Sequence, residues 1–507
     1  MNHKSRGIVL SYLNLILGMV VNVFLTPMLI VSLGDLDYSL YKVMQSFAGP
    51  LSMFHLGIST VVTRSVVKCA SSDAYSELDK KNTMALALLA SGVMALLVLI
   101  AGGVMHYAIP GIYGGTYSAE SLKTGQQLFA MYVAAAVLHM LTDAFSGCIL
   151  GHERYTVSAL IPLLKTVFKL FLLVLLLWLD LGVHAVVTID LLLAFGVFAG
   201  TAIYAVCVLH EVPKLSCFDK GQLMEILSFG LAILLQAFVN QVNNNVDTMI
   251  LGAFVEDKAV ITMYSSALSI YAIYNSLISV MTHYFLPKAT QLVTRKASGR
   301  ELTDFVIGPG RLQAAVALAC ICGFSLFGRN FITIWIGPKY IDAYGVVLML
   351  MIPVTIPLVQ NAVISILDAT MKRMVRSVVL VVMAVLNVIV SVILVRSIGF
   401  WGAALGTAVS LILGHGVLMN VYYAKELGIE IFRMFAGIFR GILAAALTAS
   451  AACLPLALLL PDTVVWFVIK CVCFVVVYGL CLCLFGINRK EKQMVLGLRK
   501  GFGKHKR

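Results

Sequence analysis

The feature that most constrains this chain is its succession of long apolar segments. A helix crosses the hydrocarbon of a bilayer with about 20 consecutive apolar residues, and segments of that length recur along the whole sequence. Fourteen such segments are present, at residues 8–31, 40–66, 83–109, 125–149, 156–180, 184–209, 224–252, 259–286, 310–332, 341–368, 374–396, 400–424, 436–460 and 463–486. The sequence therefore predicts an all-α polytopic membrane protein with about fourteen transmembrane helices.

Composition leaves little of the chain for a soluble domain. Of the 507 residues, 60% are hydrophobic and only 12% are charged, whereas soluble proteins carry about 25% charged residues. The stretches between the apolar segments are too short for an ATPase domain or a soluble glycosyltransferase domain. The sequence also contains no P-loop, nucleophile elbow, metal cluster or dinucleotide fingerprint. We therefore expect a protein that is not an enzyme and that binds no cofactor.

The basic residues predict the orientation of the spans. An even number of spans puts both termini on one side, and 28 of the 37 Lys and Arg residues fall on that side. Cytoplasmic loops are enriched in Lys and Arg, so we expect both termini in the cytoplasm of a bacterial inner membrane. The net charge of +13 then reflects orientation and attraction to anionic membrane lipids. No nucleic-acid partner is expected.

A polar stripe lies in the predicted span at 224–252. On a helix its members fall within an arc of about 100°, and they are Gln236, Asn240, Asn243, Asn244 and Asp247. Polar groups are costly inside a membrane because no water is present in the hydrocarbon to bond them. We therefore expect the stripe to face a cavity or a polar partner.

The first span carries a fainter version of this pattern. Asn14 and Asn22 lie on it, and Asn22 stands twelve residues before Gly34. Asn240 likewise stands twelve residues before Gly252. The shared spacing favours an internal duplication whose halves face each other, as in many transporters. Chance recurrence of common residues is the alternative.

Two lysines lie deep in the predicted fifth span. Lys165 and Lys169 are one helical turn apart, near the middle of the membrane. A lysine at that depth costs about 2.5–3.5 kcal/mol on insertion scales. Two ammonium groups on one face favour an anionic ligand, and a salt bridge to Asp190 or Asp143 is the alternative. Arg64 is a further candidate for an anion, or it extends to lipid phosphates near the cytoplasmic end of its span.

Several segments, taken together and in this order, resemble one family. They are NLILGMVVNVFLTPMLIVSLGDLDYSLYKVMQSF, PLSMFHLGISTVVTRSVVK, GHERYTVSALIPLLKTVFKL, NNNVDTMILG and LDATMKRMVRSVVLVVMAVLNVIVSVILVRSIGFWGAALGTAVS. The last segment contains the small-residue pattern Gly399, Gly402, Ala403, Ala404, Gly406 and Thr407. Each segment alone is a weak signal. Their order and the fourteen spans make the chain similar to bacterial flippases for O-antigen, capsule and related oligosaccharides.

This resemblance implies the fold of the multidrug/oligosaccharidyl-lipid/polysaccharide exporter superfamily. In that fold two pseudo-symmetric six-helix bundles surround a central cavity. The bundles are expected at residues 1–210 and 211–430, followed by two appended transmembrane helices at 431–487. A basic cytoplasmic tail at 488–507 completes the chain.

The resemblance also implies a substrate and a mechanism. The substrate is an undecaprenyl-diphosphate-linked oligosaccharide, flipped by alternating access from the cytoplasmic to the outer leaflet for cell-surface polysaccharide biosynthesis. A monomer is expected, with a proton or a sodium ion as the possible coupling ion. The lysines suit a diphosphate or an acidic sugar, and the asparagines suit sugar hydroxyls. The candidate cavity residues are Lys165, Lys169, Arg64, Asn14, Asn22, Gln236, Asn240, Asn244 and Asp247.

Three alternatives remain open at this point. Lipid II flippases share the span count but place arginines in helices 1, 2 and 8, and here the first and eighth spans contain none. Multidrug antiporters carry acidic residues in their early helices, and the first span here has no carboxylate. An intramembrane transferase would need acidic residues at an outer loop, for which Asp35 and Asp37 are the candidates.

Overall fold

The structure is a computed structural model that describes residues 3–52, 58–71, 77–179, 181–215, 218, 220–221, 223–224, 241, 245–279, 285–370 and 373–486. Every regular element in these ranges is a helix. The chain divides into two compact units. The first contains Met1–Ser266 and Ala384–Ala403, and the second contains Ala267–Met383 and Ala404–Arg507.

The helices follow one another through short connections. In chain order they are α1 (His3–Ser52), α2 (Ile58–Ser71), α3 (Glu77–Tyr113), α4 (Ala119–Gly151), α5 (Tyr155–Leu179), α6 (Gly182–Ile203), α7 (245–254), α8 (Lys258–Ser279), α9 (Leu286–Thr294), α10 (Gly299–Trp335), α11 (Ala343–Val359), α12 (Asn361–Ala369), α13 (Arg373–Ile398), α14 (Phe400–Leu411), α15 (Asn420–Leu427), α16 (Ile431–Phe439), α17 (Ile442–Leu459) and α18 (Val464–Cys481). Short π-helices extend α6, α14 and α18, at Tyr204–Val208, Ile412–Met419 and Leu482–Gly486.

The helices confirm the prediction of an all-α polytopic membrane protein. Among the described residues, ten helical segments are long and apolar enough to cross a membrane. α11 and α12 together form an eleventh candidate, bent by 43°. Pro353 and Pro357 lie in α11 just before this bend, so the kink that these prolines predict in the span at 341–368 is confirmed. Most of the predicted span at 224–252 lies outside the described residues.

The connection between the first two predicted spans lies inside α1. The apolar pattern predicts a break between residues 31 and 40, and the helical backbone breaks there at Gly34, whose φ of 67° and ψ of 175° are not helical. α1 therefore consists of two helices joined at this glycine. Glycine adopts a positive φ readily because it has no Cβ. Asp35 and Asp37, the candidates for a transferase site, therefore lie on helical backbone rather than in a loop.

Two glycines bring α2 and α4 into backbone contact in the first unit. A Cβ on Gly147 would lie 2.4 Å from the carbonyl oxygen of Ser59, and one on Gly151 would lie 2.6 Å from Cβ of Val66. Thr63 Oγ1 also donates to the carbonyl of Gly147 at 3.0 Å. These glycines are four residues apart, the spacing that lets membrane helices approach closely.

Glycines of the small-residue pattern make the turn from α13 to α14. Gly399 has a φ of 64° and separates the two helices. A Cβ on Gly402 would lie 2.3 Å from the carbonyl carbon of Leu394. The pattern is therefore required by a tight turn in which one helix end packs on the other.

In the second unit, Arg311 of α10 joins two helix ends. Its side chain is buried, and Nη1 donates to the carbonyls of Gly437 and Arg440, both at 2.9 Å. Nη2 donates to the carbonyl of Gly486. These carbonyls lie at or beyond the C-terminal ends of α16 and of the π-helix after α18, where backbone oxygens lack helical partners and attract cations. Arg311 thus attaches the last helices to α10.

Replacing Arg311 with methionine is expected to destabilise the protein by about 3 kcal/mol or more, because a hydrogen bond to a charged group contributes about 1.5–3 kcal/mol. Arg311→Lys should have an intermediate effect, since the charge stays but the planar fork is lost. Thermal unfolding of the purified protein measures both. Arg300→Met is the control, because Arg300 is exposed on the same helix. Equal melting temperatures for Arg311→Met and Arg300→Met would contradict this role.

Candidate functional site

An ion pair between α5 and α6 lies at the centre of the candidate site. Lys169 Nζ is 2.7 Å from Asp190 Oδ1. The lysine side chain is 31% exposed and the aspartate side chain 16% exposed, so neither group is sealed in the protein interior. The sequence left two interpretations of Lys169, as a ligand of an anion or as the partner of an aspartate. In the structure Lys169 pairs with Asp190.

Lys165 lies one turn before Lys169 on the same face of α5. It interacts electrostatically with both Lys169 and Asp190, repelled by the first and attracted by the second. Its side chain is half-buried, and within the described ranges it forms no ion pair of its own. One carboxylate is therefore shared by more than one ammonium group.

Lys42 of α1 is a third cation at this site. It interacts electrostatically with Lys169 and Asp190. Its Nζ lies 5.5 Å from the ring centroids of both Tyr38 and Tyr41, a distance at which aromatic faces attract cations. In the part of the chain that the structure describes, Lys42 has no ion pair. Sequence reasoning counted this residue at the outer end of the predicted span 40–66 and did not include it in the site.

Aromatic rings form a wall beside the cations. Tyr38 and Tyr41 have centroids 6.1 Å apart, and Tyr132 of α4 follows at 6.4 Å from Tyr41. All three tyrosines are buried. Two of them, Tyr38 and Tyr41, lie against Lys42, so they do not offer an open stacking surface for a ligand. A sequence signal was available, because Tyr38, Tyr41 and Lys42 share one face of a helix at spacings of three and four.

The site therefore carries more positive than negative charge. Lys42, Lys165 and Lys169 contribute three ammonium groups, and Asp190 contributes one carboxylate, which gives a net charge of about +2 at neutral pH. Excess charge of this kind is not stable against hydrocarbon. We refer to these four residues as the lysine cluster, and its chemistry suits a multivalent anion.

Asn14 lies beside this cluster on α1. Its Oδ1 accepts a hydrogen bond from Thr166 Oγ1 at 2.8 Å, and Thr166 is the neighbour of Lys165 on α5. Asn22 is exposed two turns further along α1. The structure thus brings one of the two predicted asparagines of the first span into contact with α5, at the residue that follows Lys165.

Asp247 occupies a different position, on α7. It is buried, and Oδ2 accepts a hydrogen bond of 2.6 Å from the hydroxyl of Tyr264, which is also buried. Tyr264 lies on α8, the tyrosine-bearing span that follows the polar stripe. The assignment of Asp247 to substrate binding stays a prediction.

Four candidate positions cannot be placed. Gln236, Asn240 and Asn244 lie outside the described residues, as does the side chain of Arg64 on α2.

Two amides in the same segment, those of Gln241 and Asn245, are described and were not predicted. A Cβ on Gly49 of α1 would lie 2.8 Å from Gln241 Nε2 and 3.2 Å from Asn245 Nδ2, so these amides lie directly against that glycine. Helical periodicity did not predict either amide as part of the site.

A set of contacts joins the turn between α3 and α4 to the end of α7. Tyr113 donates from its hydroxyl to the carbonyl of Met249 at 3.1 Å, and Thr116 Oγ1 donates to the carbonyl of Gly252 at 2.7 Å. Lys258 Nζ lies 3.5 Å from the ring centroid of Tyr117. All of these contacts lie within the first unit.

Within the ranges that the structure describes, no three His, Cys, Asp or Glu side chains are grouped so that they could hold a metal ion.

Comparison with solved structures places this fold among membrane transporters. The lipid II flippase MurJ in an inward closed conformation superposes with a TM-score of 0.70 at 14% identity, over 94% of this chain and 98% of that one. An inward-facing multidrug resistance transporter of the MATE family, in the MOP superfamily, gives 0.65 at 13% identity, over 82% and 95%. A MOP superfamily transporter from Pyrococcus furiosus gives 0.54 at 14% identity, over 83% and 96%. These identities show the fold alone.

Comparison with family models shows to which family the chain belongs. No curated protein matches it. The model of the family described as polysaccharide biosynthesis protein matches residues 7–292, which is more than half of the chain. The resemblance to a family that serves polysaccharide biosynthesis is confirmed. The chain is therefore a member of the polysaccharide biosynthesis protein family.

Proposed function

We propose that this protein flips an undecaprenyl-diphosphate-linked oligosaccharide from the cytoplasmic to the outer leaflet, for cell-surface polysaccharide biosynthesis. The observation that carries the proposal is the lysine cluster. A diphosphate diester bears about two negative charges at neutral pH and has to cross the low-dielectric interior during flipping. Cations held within the membrane reduce that cost, because charge pairing is strongest where water is scarce.

The contacts on the outer side support alternating access. The turn between α3 and α4 holds the end of α7 through Tyr113 and Thr116, and Tyr117 of the same turn contacts Lys258 at the start of α8. Few, directional contacts of this kind can break and re-form during a transport cycle. We assign them to an outer gate that is closed in this structure, so that release to the outer leaflet requires their rupture.

The charge of the cluster also discriminates between relatives. A multidrug antiporter that exports cations gains nothing from a site with an excess of ammonium groups, because like charges repel. A lipid II flippase moves an anionic lipid-linked saccharide, so the cluster suits that activity as well. The family match is to polysaccharide biosynthesis, and this favours oligosaccharide export over lipid II.

The membrane arrangement follows from the same reasoning. We place the protein in the bacterial cytoplasmic membrane as a multi-pass monomer with both termini in the cytoplasm. A proton or a sodium ion is the candidate for coupling. Substrate and membrane lipids are the partners that the proposal requires.

Deletion of the gene in the source organism tests this function. We expect surface polysaccharide to fall to background, and the undecaprenyl-diphosphate-linked oligosaccharide to accumulate on the cytoplasmic leaflet. Accumulation is measured in spheroplasts and in inside-out vesicles with a lectin or antibody against the glycan. A plasmid copy of the wild-type gene should restore export.

Rescue of a strain depleted of its lipid II flippase is the parallel assay. We expect no rescue of growth by this protein. The proposal would be overturned if this protein restored growth of the depleted strain and if deletion of its gene left surface polysaccharide normal. Those two results would identify it as a lipid II flippase.

A further inference from the structure

We infer that Asp190 is a resident counter-ion that the substrate diphosphate displaces from Lys169, and that Lys42 supplies the third cation that then binds the diphosphate. This inference rests on the proposed function and assigns roles to two residues that sequence reasoning did not include in the site. In this mechanism the Asp190 carboxylate separates from the Lys169 ammonium group when the diphosphate binds.

The position of Lys42 supports the first part. Its Nζ lies beside two tyrosine rings, 5.5 Å from the centroid of each, and it interacts electrostatically with Lys169 and Asp190. An ammonium group held in place by aromatic faces has lost much of its rotamer freedom before ligand binding, so less entropy is lost when it binds. Lys42 approaches from α1 whereas the other lysines approach from α5, so an anion between them has cations on two sides.

The exposure of the ion pair supports the second part. The Lys169 and Asp190 side chains are 31% and 16% exposed, so the pair is within reach of a ligand. A buried carboxylate left without a partner would cost several kcal/mol. Here the displaced Asp190 stays in electrostatic range of Lys42 and Lys165. The surplus of cations therefore lowers the cost of breaking the pair.

If the diphosphate displaces Asp190, then removing Lys42 and removing the charge of Asp190 should change the affinity for the diphosphate in opposite directions. Removing Lys42 takes away a cation that holds the diphosphate, so affinity should fall. Removing the Asp190 charge takes away a competitor for Lys169, so affinity should rise. A purely structural ion pair predicts that loss of either partner disturbs the site and weakens binding.

The experiment uses the full-length protein in nanodiscs, with farnesyl diphosphate as the probe in isothermal titration calorimetry. We expect Lys42→Gln to weaken binding about tenfold, the effect of about 1.4 kcal/mol, and Lys42→Arg to stay within about threefold of wild type. Asp190→Asn should tighten binding about fivefold. Lys123→Gln is the matched control, because Lys123 is exposed at the outer end of α4, and its affinity should equal that of the wild type.

Two results would overturn the inference. Unchanged binding by Lys42→Gln would remove Lys42 from the site, and weaker binding by folded Asp190→Asn would make Asp190 a positioning residue for Lys169. If Asp190→Asn is not recovered folded, infrared difference spectra of the wild-type protein decide the displacement. A carboxylate band should shift when farnesyl diphosphate is added, and absence of the shift would contradict displacement.

Failure of the inference is distinct from failure of the proposed function. A wild-type protein that does not bind farnesyl diphosphate, but whose gene restores surface polysaccharide, retains the function and loses this binding mechanism. A protein that binds the probe in the expected order, but whose deletion leaves surface polysaccharide unchanged, retains the anion site and loses the function.

Discussion

Replacing both Lys165 and Lys169 with alanine is expected to reduce surface polysaccharide to less than about a tenth of the wild-type level, at normal abundance of the protein. The double variant retains only Lys42 and Asp190 in the lysine cluster, so the net charge of the site falls from about +2 to zero. A neutral site no longer attracts a diphosphate. Each single alanine variant should have a smaller effect on export.

The stability of the Lys165→Ala variant is expected to move in the other direction. The cluster holds three ammonium groups around one carboxylate, and like charges that share a site repel one another. Lys165→Ala removes one source of repulsion on Lys169, and Lys42 stays in range of Asp190. Thermal stability should therefore be unchanged or increased, a trade-off typical of functional sites.

Abundance and export must be measured together. Immunoblots of membranes give the amount of protein, size-exclusion chromatography gives its folded fraction, and lectin staining of intact cells gives export. Lys123→Ala is the control. If Lys165→Ala or Lys169→Ala lowers the folded amount and Asp190→Asn restores both amount and export, the lysines serve only a structural ion pair. Full export by the double variant at normal abundance would exclude both roles.

The sequence made some parts of this site predictable and not others. The depth and shared face of Lys165 and Lys169 depend only on apolar run length and helical period, which are local properties. Partnership with Asp190 could be offered only as one of two options, because the choice depends on how α5 packs against α6. Lys42 was missed because its proximity to Lys165 and Lys169 depends on how α1 packs against α5. These residues are more than a hundred positions apart in the sequence.

The helix boundaries show the same division. Apolar run length predicted a connection between residues 31 and 40, and the break in α1 at Gly34 lies within it, directly before Asp35. The interruption at Gly34 depends on a positive φ, which hydropathy does not report.

The second large effect is expected at Gly147, where α4 touches the backbone of α2. Gly147→Val should remove most of the folded protein from the membrane. A Cβ there would lie 2.4 Å from the carbonyl oxygen of Ser59, and that oxygen belongs to backbone, which cannot rotate away as a side chain can. Gly147→Ala should already destabilise by about 1–3 kcal/mol, the range for overpacked cores.

Gly196→Val on α6 is the matched control, because a Cβ there would meet no atom within 4 Å. Fluorescence-detected size-exclusion chromatography after mild solubilisation gives the folded amount of each variant. Equal recovery of Gly147→Val and Gly196→Val would show that α2 and α4 do not need this close contact. The contact also bears on function, because α2 carries Arg64. A shift of α2 by the width of a methyl group would move that candidate side chain as well, so Gly147→Ala should reduce export by more than its loss of folded protein if Arg64 binds the substrate.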